Sequence, residues 1–323
     1  MLRSDKMTKN ILRKQGEKKP FWKKFWHDYG EMLYMVPVIV GIICFTIIPV
    51  FTSLNYALHD YNPYARDPAE QLTNFGLQNF KKIFTSGSEG GTFETVMYSL
   101  FVTFRYSVLN ILLGIVGSYT LALFLNQKTK GVEAFRVIYY LPTLIPAVAG
   151  TLLWKDITAV RGGYLNMILE WVGLGTYTFY EAKETVLPTL LFISLFSMGG
   201  GTIMWLAQMK NVPTELYESA DLDGANYFSK LFFITIPMTT SMLFYMLITQ
   251  IIGGLQTFGN VYPLKDVAGK EVDFIVVQIY ENAYINGELS YACALSWFLF
   301  VIIGILTAFV FKTSNWVYYG EEA

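Results

Sequence analysis

Six long apolar runs are the feature that most constrains the fold of this chain. Each is near or above the roughly 20 residues that an α-helix needs to cross the ~30 Å hydrocarbon core of a bilayer. The runs are residues 33–54, 97–125, 137–157, 186–208, 231–256 and 291–311. With 53% hydrophobic and only 15% charged residues, the chain has more apolar surface than a water-soluble domain can cover. The sequence therefore predicts an all-α integral membrane protein with six transmembrane helices.

The distribution of basic residues predicts the orientation of these spans. Residues 1–30 hold a cluster of Lys and Arg and are predicted to form a cytoplasmic tail. The loop 126–136 carries three basic residues, whereas the longer loop 158–185 carries two, in agreement with this orientation. Because six is an even number, the tail 313–323 is predicted on the same side. We expect a multi-pass protein of a bacterial cytoplasmic (plasma) membrane, with residues 31–312 as its membrane domain and both termini in the cytoplasm. Lipid explains the basic cluster better than nucleic acid does.

Residues that loosen helices cluster in three of the predicted spans. They are Pro142 and Pro146 in the third span, Gly199–Gly201 in the fourth, and Pro237, Gly253 and Gly254 in the fifth. In lipid, backbone groups freed by a break must be satisfied by neighbouring groups or by a water-lined cavity. The breaks therefore indicate either a transport pathway or close helix packing. Arg105, within the second span, is predicted to face protein or water because a charge in hydrocarbon is costly.

A polar segment separates the fourth and fifth spans, and it predicts a short helix over about 213–224. Thr214 is a candidate N-cap, and Gly224 suits the left-handed residue that ends a helix. Glu215, Glu218 and Asp221 recur at every third position and form an acidic stripe. Taken alone, this pattern favours a solvated connector between two spans over a contact with a partner.

A specific motif changes that interpretation. The run Glu218-Ser219-Ala220-x-x-Asp223-Gly224-Ala225, followed by Ile234-x-Ile236-Pro237, resembles the EAA motif of ATP-binding-cassette (ABC) importer permeases. Other stretches resemble the carbohydrate branch, and within it the first of two paired permease subunits: Gly76-Leu77-x-Asn79-Phe80, Phe135-Arg136, Leu141-Pro142, Gly163-x-Leu165-Asn166 and Leu206–Leu216. The resemblance covers roughly residues 30–312. Ser219 departs from the usual alanine, and Val267–Lys270 stands where Gly-Gly-Pro is common.

This resemblance implies the type I ABC importer permease fold, working by alternating access, with a cytoplasmic coupling helix that docks on a separate ATPase. The implied contact residues are Glu215, Glu218, Ala220, Asp223, Gly224 and Ala225. It also implies three kinds of partner: a homologous second permease subunit, two copies of the ATPase and an extracytoplasmic sugar-binding protein. The chain has no phosphate-binding G-x-x-x-x-G-K-[ST] run. We therefore predict a transport subunit with no catalytic or metal site, and ATP and Mg bound by the partner ATPase.

The resemblance to the maltose permease also implies a substrate pathway. It would be lined by Gln250, Gly253, Gly254 and Thr257 on the fifth span, with Ser197 and Gly200 opposite on the fourth. These residues are uncharged, which favours a neutral sugar, especially an oligosaccharide, over an anion. The alternatives are a permease for amino acids or glycerol-3-phosphate, a secondary carrier, and an intramembrane enzyme. The last two would require ionisable residues inside the spans, where the sequence has almost none besides Arg105.

Overall fold

The computed structural model describes residues 34–62, 65, 67, 71–85, 92–127 and 130–318. The predicted tail 1–30 and residues 319–323 of the other tail lie outside this part of the chain. The described residues are mostly helical, with one short antiparallel pairing of Asp60–Tyr61 (β1) with Leu72–Thr73 (β2). The chain divides into two compact units, Met1–Asn55 and Tyr56–Ala323. In the first unit, the described residues form most of α1, Val36–Ala57, which has no buried residue in its most apolar window and runs across the unit boundary.

Two further helices are long and apolar enough to cross a membrane without interruption. They are α3, Thr92–Leu125, and α14, Leu289–Lys312. Three pairs of helices, each bent at a short break, pass the same test. The first pair is α4 (Val132–Tyr140), which a 3-10 turn at Leu141–Leu144 extends, and α5 (Ala147–Ile157). The second pair is α7 (Lys183–Phe196) and α8 (Gly199–Lys210), and the third is α10 (Tyr227–Met238) and α11 (Thr240–Leu255). Within the described ranges this makes three spans, or six if each bent pair is one span.

Shorter helices occupy the connections between these elements. They are α2 (Gln78–Ile83), α6 (Tyr164–Trp171), α9 (Thr214–Leu222), α12 (Lys265–Ala268) and α13 (Ile275–Tyr280), which continues as a π-helical turn, Glu281–Ile285. The 3-10 turns Tyr262–Leu264, Gly269–Val272 and Ser314–Trp316 complete the order.

Two of the three bends lie beside prolines. Between α4 and α5 the axis turns by 100°, where Ile145 adopts an extended conformation before Pro146, because proline disfavours a helical conformation in the preceding residue. The bend of 61° between α10 and α11 falls at Thr239, two residues after Pro237. The prediction that Gly253 and Gly254 interrupt the fifth span is wrong: both lie inside α11. A glycine costs a helix only about 1 kcal/mol, which tertiary packing can offset.

Helix α3 is the central element of the second unit and contributes to three successive hydrophobic clusters. Its first turns pack with α2 and α14 through Val96 and Leu100. Its middle packs on the segment between α11 and α14 through Tyr106, which contacts Phe274. Its last turns pack with α8 and α11 through Ala122. A single helix therefore sets the relative positions of most of the others.

Arg105 lies on the exposed side of α3. Two residues earlier, Thr103 Oγ1 accepts a hydrogen bond from the backbone N–H of Ile275, at 3.0 Å. Ile275 begins α13, in the connection between α11 and α14, so Arg105 lies near the level of that connection. With 34 residues, α3 is about 50 Å long, well beyond the ~30 Å that hydrocarbon requires. Helix α3 begins five residues before the predicted run, and Arg105 is its fourteenth residue.

Candidate functional site

The nine-residue helix α9 begins directly after Pro213, whose extended backbone places it at the N-cap. Thr214 was predicted to occupy that position, but it is the first helical residue, and no side chain caps this end. Proline lacks an N–H and precedes helices readily, which explains the shift by one residue. The extent of the helix, Thr214–Leu222, agrees with the predicted range of about 213–224.

The other end of α9 closes in a rigid turn centred on Gly224. This glycine has φ +76°, the left-handed conformation that the sequence predicted. Its N–H donates to the Asp221 carbonyl at 3.1 Å, and the Ala225 N–H donates to the Ala220 carbonyl at 2.8 Å. This pair of bonds satisfies carbonyls that the end of a helix leaves unpaired. The next residue, Asn226, caps α10 by accepting a hydrogen bond from the Ser229 N–H at 2.8 Å.

Side-chain contacts fix α9 against α10. The Tyr217 hydroxyl and Thr235 Oγ1 are 2.9 Å apart and share a hydrogen bond. Asp221 forms an ion pair with Lys230. Ala220 and Ala225 are partly buried at the turn. The turn and both contacts therefore hold α9 against the start of α10.

The outer face of α9 carries exposed carboxylates and exposed leucines. Glu215, Glu218 and Asp223 are exposed, and none has an ion-pair partner among the described residues. Leu222 is 90% exposed and Leu216 is also exposed. A helix this short is not stable alone in water. Exposed leucines beside free carboxylates make this face suitable for a partner that offers an apolar cleft and basic groups.

A second feature is an open cavity of about 540 Å³ lined by residues of α3, α5, α7, α8 and α11. Its polar lining residues are uncharged: Asn110, Ser118, Thr151, Ser194, Ser197, Gln250 and Asn260. Aromatic rings complete the wall, and Trp154 contacts Phe196 with ring centroids 5.1 Å apart. This combination suits an uncharged ligand with many hydroxyl groups.

Three amide side chains in the cavity are available to a ligand. Asn110, Gln250 and Asn260 line it, and no other described residue hydrogen-bonds to their side chains. Gly114 provides the space for one of them, because a Cβ at that position would lie 2.9 Å from Gln250 Oε1. Each amide can both donate and accept, which matches the hydroxyl groups of a sugar.

The structure places the predicted pathway residues in different environments. Ser197 and Gln250 line the cavity, and Gly200, Gly253, Gly254 and Thr257 are not among its lining residues. A Cβ at Gly254 would lie 3.3 Å from the Ser107 side chain, so this glycine serves packing against α3. Thr257 Oγ1 donates to the Gly254 carbonyl at 2.8 Å. Gly200 and Gly253 face open space.

Sequence reasoning missed the contributions of α3 and α5 to this cavity. Asn110 was detectable as an amide within an apolar run, but Trp154 and Asn260 gave no local signal. Beside Trp154, Lys155 Nζ lies 2.7 Å from Asp266 Oδ2 and ties α5 to α12. The hydrogen bond from Lys155 lowers the pKa of Asp266 below its ordinary value. This ion pair therefore holds α5 against the connection that carries Asn260.

Comparison with known proteins agrees with the motif and the fold. No protein-family model matches the chain. It is 32% identical to a protein of Bacillus subtilis (strain 168) named "Probable ABC transporter permease protein YesP", over 90% of this chain and 92% of that protein. It is 24% identical to the "Trehalose/maltose transport system permease protein MalF" of Thermococcus litoralis, over 88% of this chain and 92% of the relative.

A solved structure shows the same fold. The structure is a bacterial alginate ABC transporter in complex with an alginate pentasaccharide-bound periplasmic protein. One of its chains superposes on this one with a TM-score of 0.78 at 22% identity, covering 92% of this chain and 98% of the other. The similarity to YesP extends over nearly the whole of both chains. The chain therefore belongs to the family of ABC transporter permease proteins.

Proposed function

We propose that the chain is the transmembrane permease subunit of an ATP-driven importer for a neutral carbohydrate, most suitably an oligosaccharide. The observation that carries this proposal is the cavity of about 540 Å³, whose lining contains unpaired amides and aromatic rings but no charged side chain. A relative named as a trehalose/maltose permease supports the same substrate class.

The lining residues suggest how a sugar is held. Asn110, Gln250 and Asn260 would donate to and accept from its hydroxyl groups, which replaces the hydrogen bonds that the sugar loses with water. The face of a pyranose ring is apolar and packs well on an aromatic side chain such as Trp154. A volume of this size accommodates small organic ligands. Hydrogen bonds between neutral groups are weaker than those to charged groups. The sugar can therefore leave when the cavity opens to the other side of the membrane.

The coupling step depends on α9. We place α9 on the cytoplasmic side, together with both termini, in a six-span type I importer fold within the plasma membrane. Two copies of an ATPase would bind ATP and Mg, and one would receive the Glu215, Glu218 and Leu222 face in a cleft. A homologous second permease and an extracytoplasmic sugar-binding protein complete the complex. Closure of the ATPases would then push α9, and the turn at Gly224 would pass the movement to α10, biasing the permease towards one of two alternating-access conformations.

Two alternatives are less consistent with the cavity. A phosphate ester such as glycerol-3-phosphate would call for Arg or Lys in the lining, and none of its lining residues is basic. A secondary carrier coupled to protons would need an ionisable group there, and it would leave the exposed face of α9 without a role.

A substitution of Gln250 tests the substrate site. Gln250→Ala is expected to reduce sugar uptake about three- to tenfold, because one or two hydrogen bonds to the sugar are lost. The measurement is uptake of radiolabelled neutral disaccharides and pentasaccharides by proteoliposomes that contain the whole complex. Gln256→Ala is the matched control, since Gln256 is exposed and is not among the cavity-lining residues. Uptake of an anionic substrate in preference to every neutral sugar would contradict the proposal.

A further inference from the structure

Four aromatic side chains form a continuous ladder between the end of α11 and the start of α14. We call Phe258, Tyr262, Tyr280 and Tyr284 the aromatic ladder. The ring centroids of Phe258 and Tyr262 are 5.0 Å apart, those of Tyr262 and Tyr280 are 4.8 Å apart, and those of Tyr280 and Tyr284 are 5.1 Å apart. Phe258, Tyr280 and Tyr284 also line a groove of about 340 Å³ against the first turns of α14.

An ion-paired frame holds the segments that carry the ladder. Lys265 Nζ lies 3.1 Å from Asp273 Oδ1 and also pairs with Glu281. Burial alone would lower the pKa of Lys265, but the two carboxylates outweigh this effect and raise it. The lysine therefore stays charged and joins the segment after Tyr262 to the turn that carries Tyr284. The rings are thus positioned before any ligand arrives.

The outer end of the ladder lies in a polar environment. Tyr284 is 76% exposed, and its neighbours in sequence include Glu281, Asn282 and Asn286. The two asparagines are hydrogen-bonded to each other at 3.2 Å, and Glu281 is held by Lys265. Charged and amide side chains at this density do not belong in hydrocarbon. Tyr284 therefore presents its ring to water or to the headgroup region.

The inner end of the ladder adjoins the cavity. Phe258 and Tyr262 flank Asn260 in one short connection, and Asn260 lines the cavity. The same connection thus contributes Phe258 and Tyr262 to the ladder and Asn260 to the cavity that we assign to the sugar. A chain of sugar units longer than the cavity can hold would find an aromatic surface directly next to it.

We propose that the aromatic ladder is an outer binding site for sugar units of an oligosaccharide, separate from the cavity and leading to it. This inference rests on the proposed function, which supplies the carbohydrate and places the ladder on the extracytoplasmic side. The axial C–H groups of a pyranose form a weakly positive, apolar face that complements the negative face of a tyrosine ring. Binding there is non-covalent, and it favours long substrates over short ones.

The test compares ligand lengths on the full chain in lipid nanodiscs. The Kd is measured by calorimetry for the disaccharide and the pentasaccharide of the malto-, cello-, xylo- and arabino- series. Tyr284→Ala is expected to weaken pentasaccharide binding about three- to tenfold and to leave disaccharide binding unchanged. Tyr284→Phe keeps the ring and should bind as the wild type does, whereas Tyr284→Leu should behave like the alanine variant. Tyr164→Ala is the matched control, because Tyr164 is 71% exposed on a different connection.

The outcomes separate this site from the cavity. If Gln250→Ala weakens both lengths while Tyr284→Ala changes neither, the ladder is an ordinary interfacial aromatic belt and the inference fails alone. Equal effects of Tyr284→Ala on both lengths, or a loss with Tyr284→Phe, would also overturn it. If no sugar of any series binds the wild-type chain, the proposed function fails together with the ladder. An unchanged size-exclusion profile shows that each variant is folded.

Discussion

Replacing Gly224 with isoleucine is expected to uncouple ATP hydrolysis from sugar uptake while the complex remains assembled. Gly224 has φ +76°, a conformation that costs a residue with a side chain about 1–2 kcal/mol, and a β-branched one at least as much. A Cβ there would meet no atom within 4 Å, so the cost is backbone strain rather than a clash. The turn would relax, and its two hydrogen bonds would be lost. Uptake per ATP hydrolysed in proteoliposomes is expected to fall about tenfold, because the free energy that couples α9 to the two permease conformations falls by roughly 1–2 kcal/mol.

Gly131→Ile is the matched control for this experiment. Gly131 has φ +90° and also has open space around its Cβ position, but it precedes α4 and is not part of the turn between α9 and α10. It should reduce stability to a similar degree and leave the ratio of uptake to hydrolysis unchanged. If Gly224→Ile kept the wild-type ratio of uptake to hydrolysis, the turn at Gly224 would not transmit movement from α9 to α10.

Replacing Gly199 with alanine is expected to separate α8 from the end of α4 and to lower the yield of folded protein. A Cβ on Gly199 would lie 2.2 Å from the Tyr139 carbonyl oxygen and 2.9 Å from Tyr140 Cα. Both are backbone atoms, which cannot rotate away as a side chain can. Overpacking of this kind costs about 1–3 kcal/mol. The measurement is the melting temperature in detergent, followed by fluorescence-detected size exclusion.

The adjacent residue supplies the control. A Cβ on Gly200 would meet no atom within 4 Å, so Gly200→Ala should retain or slightly raise the melting temperature, given the higher helix propensity of alanine. If Gly199→Ala and Gly200→Ala melt at the same temperature as the wild type, the close approach of these helices does not limit stability.

The sequence predicted the helical framework well where the signal is local. The run 291–311 corresponds to α14, Leu289–Lys312, and 97–125 corresponds to α3, Thr92–Leu125. Both are continuous apolar stretches, whose length is enough to identify them. Helix α9 was located within a few residues because Pro213 and Gly224 mark its ends through their own backbone preferences.

The cavity was less predictable, because it depends on contacts distant in sequence. Ser197 and Gln250 line it. Gly254, on the same helix as Gln250, and Thr257, two residues beyond the end of that helix, do not. The bends between paired helices decide which side of each one faces the cavity, and the apolar pattern does not encode their angles. Asn260 joins the lining through a connection between helices, where no periodicity exists to indicate a direction.

Photo-crosslinking from the exposed end of α9 tests the central claim most directly. Leu222 is 90% exposed and lies two residues before Gly224, so a benzophenone amino acid at this position would point at any docked partner. The permease account predicts a covalent adduct with an ATP-binding subunit, identified by its mass and its phosphate-binding sequence. It also predicts no such adduct from position 164, which it places on the opposite side of the membrane. Failure of position 222 to capture an ATP-binding subunit, in a chain that still supports uptake, would contradict the account.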